Sequence, residues 1–83
     1  MIVKTIQRTC DACPSQWHGE TDTGEAVYVR YRHGYLRAEV GDSVVLGAEI
    51  GDSLDGYMTD AEMMEHTKEV LNFETANWLS TPN

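Results

Sequence analysis

Two cysteines, three residues apart, are the only thiols in this 83-residue chain, and three histidines accompany them. Cys10-x2-Cys13 puts two thiols on one tight loop, whose backbone amides help carry thiolate charge. That geometry suits tetrahedral Zn, which takes four Cys, His or carboxylate ligands. The chain holds no second cysteine pair, so a full site must borrow from His18, from His66 or Glu62, or from another subunit. Glu62 and His66 are four residues apart and share a face if that segment is helical. Two other readings stand beside metal. The pair is either two reduced thiols in an ordinary turn or a redox dithiol. Pro14 and the strand-like run after it do not fit the helix N-terminus that a thioredoxin-type motif needs.

Other chemistry is thin. No G-x-S-x-G elbow accompanies the histidines, and neither a G-x-x-x-x-G-K-[ST] nor a G-x-G-x-x-G phosphate loop occurs. A chain this short also has little room for a pocket that excludes water. The expectation is a binding protein, not an enzyme.

Charge is unevenly spread. The net charge is −8. Residues 1–38 carry five basic and four acidic side chains; residues 39–83 carry Lys68 against ten acids. Asp60, Glu62, Glu65 and Glu69 lead an acidic surface suited to a protein partner with a basic groove, and steering by that surface would speed association. The bland counterpart is solubility. A second candidate surface is the Tyr28, Arg30, Arg32, Tyr35 and Arg37 set, where bases can stack on tyrosine and arginine can meet phosphate. The overall acidity ranks nucleic acid below a protein partner.

The elements that position these residues follow from pattern. Residues 2–9 alternate as a strand, and Gln16–Glu20 reads as its return. Residues 26–32 and 35–40 flank His33-Gly34, a two-residue hairpin link. Val27, Val29 and Tyr31 should face Leu36, Ala38 and Val40. A-E-V-G-D-S-V recurs ten residues later as A-E-I-G-D-S-L. Each copy reads as a strand end closed by a Gly-Asp-Ser turn, with residues 44–50 a strand between. Asp42 and Asp52 are turn residues on this reading, not metal ligands. Thr59-Asp60-Ala61-Glu62 matches a capping box, so a helix should run from there to about Asn72. Met63, Thr67, Val70 and Leu71 form its inner stripe. Met58, Met63 and Met64 are read as core ahead of an exposed adaptable surface. Phe73 and Trp78 should close the core edge.

The expected fold is therefore α+β: an antiparallel sheet of three to five strands with one C-terminal helix packed on it. Residues 1–79 make a single domain and 80–83 a frayed tail. No apolar run approaches the ~20 residues of a membrane span, and no signal peptide is visible, so the expected location is cytoplasmic. Oligomeric state is not readable.

Arg8-Thr9-Cys10-Asp11-Ala12-Cys13, a hairpin, and then Met63-Met64-Glu65-His66 resemble the outline of small bacterial and phage zinc-ribbon-like proteins. The resemblance implies Cys10, Cys13 and His66 as Zn ligands. Met63 stands where that pattern has its third cysteine. Cys10-x2-Cys13-x4-His18 is similar to the first three ligands of a zinc knuckle, with Thr23 at the fourth position. In size and acidity the chain also resembles phage and mobile-element accessory proteins, which implies an inhibitor or regulator of a nucleic-acid-handling protein.

Overall fold

The computed structural model describes residues 1–11, 14–52 and 56–79. The strands are β1 (Val3–Cys10), β2 (Ser15–Thr21), β3 (Ala26–Arg32), β4 (Tyr35–Val40), β5 (Ser43–Glu49) and β6 (Asn77–Leu79). One helix, α1 (Asp60–Thr67), lies between β5 and β6. The sheet order is β5-β4-β3-β2-β1-β6. The first five strands form an antiparallel meander, and β6 joins β1 in parallel. The expected three-to-five-stranded antiparallel sheet with a C-terminal helix is thus corrected. Among the described residues the sheet has six strands and is mixed, the helix is a single short one, and a strand follows it. Asn77-Trp78-Leu79 is too short to show a two-residue alternation, and its partner lies at the other end of the chain.

The hairpins are written locally. His33 and Gly34 have φ of 54° and 74°, the two positive values of a type I′ turn. Their strands pair in the expected register, Val27 with Val40, Val29 with Ala38 and Tyr31 with Leu36. Gly41 has φ 59° and Asp42 does not turn positive, so Gly41-Asp42 links β4 to β5 as a II′ turn. The second Gly-Asp copy does something else: Ile50 and Gly51 both donate to the Gly34 carbonyl, at 2.8 and 3.1 Å. The rest of that expected turn, residues 53–55, lies outside the described residues, as does the tail at 80–83.

One face of the sheet makes the core. Trp17, Tyr31, Ile6, Leu36, Val27 and Val29 are fully buried there, with Met58, Met63 and Leu71 from the covering layer. Two of the three methionines are core, and Met64 packs half-buried beside them. Phe73 and Trp78 close the edge as a stacked pair, centroids 6.1 Å apart. β1 departs from simple alternation. Register shifts fall between Val3 and Thr5 and between Arg8 and Cys10, and bulges of this kind re-aim side chains. Val3 and Ile6, three residues apart, are both buried as a result.

The helix starts as its sequence dictates. Thr59 Oγ1 accepts from the Glu62 amide, and Glu62 Oε1 accepts from the Thr59 amide, both at 3.1 Å. Thr59→Ala is expected to cost about 1 kcal/mol, read as a lower urea midpoint at unchanged slope. The helix ends at Thr67, short of Asn72. Beyond it the N-terminal segment captures the chain: the Met1 amino group donates to the Val70 carbonyl, the Asn72 amide to Met1, and the Val3 amide to Asn72. Backbone groups used this way cannot also extend a helix.

Candidate functional site

The outer face of the sheet, away from the helix, collects the Tyr/Arg set. Its rows follow from register. Arg32 sits opposite Tyr35, Arg30 opposite Arg37, and Tyr28 opposite Glu39. On the β2 side, Gln16 lies beside Arg30 and His18 beside Tyr28. Arg30, Arg32, His33, Tyr35 and Arg37 line a cleft of about 280 Å³. Like charges directly opposite each other on a sheet destabilise it by a few tenths of a kcal/mol to about 1 kcal/mol, so the Arg30–Arg37 pair is held against a cost. The Arg30 Nε is buried and has no hydrogen-bond partner. Among the described residues Arg37 has only a long contact to Glu39, 3.6 Å.

Aromatic groups flank the arginines. Tyr35 is 44% exposed. Its hydroxyl end lies over Gly47 of β5, where a Cβ would collide with it. His18 is exposed, and its ring meets Tyr28 at 4.7 Å and 56°. The Tyr28 hydroxyl accepts from Gln16 Nε2 at 3.3 Å.

The acids of the predicted partner surface sit in the opposite layer, and most are occupied within the chain. Asp60 accepts from Arg8 Nη1 at 2.9 Å and from Trp17 Nε1 at 2.8 Å. Glu62 closes the helix cap. Glu65 takes a 2.7 Å bond from Lys68, and that hydrogen bond, with the Lys68 charge, holds its carboxyl below the usual range. Glu69 is exposed.

The metal candidates are not brought together. Cys10 ends β1 opposite Gln16. His18 points to the outer face beside Tyr28, whereas exposed His66 belongs to the helix layer on the other side of the sheet. The two histidines therefore cannot complete one site. Among the described residues no group of three or more His, Cys, Asp or Glu side chains could hold a metal ion; Cys13 lies outside those residues. Glu62, the stand-in ligand, is committed to Thr59.

Sequence reasoning missed Arg8. Its Nε donates to Asp11 Oδ1 at 3.0 Å, and its Nη2 reaches the Asp11 carbonyl, Ser15 Oγ and the Met58 carbonyl at 2.8, 3.0 and 2.7 Å. The guanidinium also lies over the Trp17 and Tyr57 rings, 4.8 and 5.4 Å from their centroids. Its acceptors reach 52 positions along the chain, a distance over which no local pattern speaks.

Comparison with protein-family models, curated proteins and solved structures finds no match. What the fold defines is a two-layer domain, a six-stranded mixed sheet with one face covered and the other open. Among the described residues no helix is long and apolar enough to cross a membrane.

Proposed function

We propose that this protein is a non-enzymatic binding module that holds nucleic acid on the outer face of its sheet. The observation that carries this reading is a cleft shared by Arg30, Arg32 and Arg37, in which Arg30 and Arg37 stand directly opposite each other and Arg37 is 3.6 Å from Glu39. A phosphate would meet the exposed Arg32 and Arg37 guanidiniums rather than the Arg30 Nε, which is closed to solvent. Net acidity does not oppose this reading as strongly as it did from sequence. Asp60, Glu62 and Glu65 are on the helix, which packs on the other face through Met63 and Thr67, and Glu69 lies in the turn just after it. Glu39 on β4 and Glu49 on β5 share the arginines' face, Glu20 shares it on β2, and the Asp52 backbone lies against Gly34 at the β3–β4 turn.

The test is binding of labelled oligonucleotides across a salt series. The wild-type chain should bind at low salt and weaken as salt rises. Arg32→Ala with Arg37→Ala should weaken binding to all sequences and flatten the salt slope by about two, roughly one per lost phosphate contact. An unchanged slope, or no binding at low salt, rejects the reading. A regulator docking a basic protein through Glu62, Glu65 and Glu69 is the second reading, supported by their exposure.

A further inference from the structure

The outer face carries more than charge. Arg30 and Arg37 form its middle row. Tyr35 is one row away toward the β3–β4 turn, and His18 with Tyr28 forms the row on the other side. Side chains two residues apart on a strand share a face and are spaced by about 7 Å. The aromatic rows thus bracket the arginines at about 7 Å on each side. The Tyr35 ring leans across β5 into the room left by Gly47, and it remains 44% exposed. A ring laid along a sheet offers its face to a planar group.

We infer that the outer face is selective for single-stranded nucleic acid, seating a backbone phosphate between Arg32 and Arg37 and stacking the neighbouring bases on Tyr35 and His18. This rests on the nucleic-acid reading above. Three guanidiniums alone would take any polyphosphate. A duplex offers phosphates but keeps its base faces closed, so exposed aromatic faces add nothing to duplex binding. A single strand can use both, and base–aromatic stacking tolerates every sequence because each base has a π-face.

Fluorescence anisotropy at low salt tests it with three probes: a twelve-nucleotide oligo(dT), the same strand in duplex with oligo(dA), and polyglutamate as competitor. Oligo(dT) should bind about tenfold more tightly than the duplex, and Tyr35→Leu should remove about that factor, the size of one base stack. His18→Ala should act in the same direction, and neither change should alter duplex binding. Both positions are solvent-facing, and circular dichroism is to check that the variants fold. Equal binding of strand and duplex, with Tyr35→Leu silent, overturns single-strand selectivity and leaves the nucleic-acid reading standing. No binding of either form overturns both. Displacement of oligo(dT) by polyglutamate at equal charge also overturns the inference, because an acidic peptide then suffices.

Discussion

Arg8→Ala is expected to lower the free energy of unfolding by about 3 kcal/mol, the scale of breaking a buried charged network, measured by urea denaturation. The ion pairs are the smaller part. Asp11 is 80% exposed and Asp60 46% exposed, so solvent screens both and each contributes well under about 1 kcal/mol. The larger part is what the guanidinium touches on its inner side. Its side chain is only 11% exposed. The Met58 carbonyl takes a 2.7 Å bond from it, and Ser15 Oγ a 3.0 Å bond. Buried acceptors that lose a charged donor cost about 1–3 kcal/mol each. The cation over the Trp17 and Tyr57 rings adds about 1 kcal/mol. Three segments would loosen together: the loop after β1, the start of β2 and the entry to the helix. Arg8→Lys should recover less than half of the loss. One ammonium cannot serve Asp11, Asp60, Ser15 and Met58 at once. A change below about 1 kcal/mol for Arg8→Ala would show that the rings and waters replace it.

The same residue shows where sequence reasoning reached its limit. Patterns within ten residues were legible. His33-Gly34 announced its hairpin, and Thr59 with Glu62 announced the helix start. The 26–40 hairpin even gave the two faces correctly, core inward and the Tyr/Arg set outward. That success matters for function, because the candidate site is this outer face. Asp60 failed differently. From sequence it was read as part of an acidic surface for a protein partner. In the structure its Oδ1 accepts from both Arg8 and Trp17, because packing of the helix on β1 and β2 brings them within reach. The sixth strand escaped notice for a related reason. A three-residue strand owes its existence to its neighbour, here Thr5, Ile6 and Gln7 of β1. The orphaned Arg30 Nε is a third case: composition reports that an arginine is present, and only the register of β2, β3 and β4 shows that nothing answers it.

Gly19→Ala is expected to destabilise the domain by about 2–3 kcal/mol, against the trend for such a change. Replacing glycine where the backbone is ordinary usually stabilises by about 0.4–1 kcal/mol, through the unfolded chain. Gly19 sits in mid-strand, and its φ is not in the left-handed region, so alanine can adopt its conformation. Space decides instead. A Cβ there would drive into the backbone carbonyl oxygen of Thr5, and it would stand 3.1 Å from both Cα and Cδ1 of Ile6. The obstruction is main chain. It is tied to the register shift between Val3 and Thr5 that puts Val3 and Ile6 into the core together. Relief would require moving β1 off β2, which strains the parallel bonds to β6 on its far side. Gly47→Ala is the control. The atom in its way is the Tyr35 hydroxyl, the far end of an exposed side chain, which can swing aside at a cost within about 1 kcal/mol. In a domain of this size, 2 kcal/mol is roughly a 10 °C loss in Tm. Thermal unfolding of the two variants side by side should show a large drop for Gly19→Ala and a small change for Gly47→Ala. Equal shifts would mean that β1 can slide on β2, and the paired burial of Val3 and Ile6 would then lose its explanation.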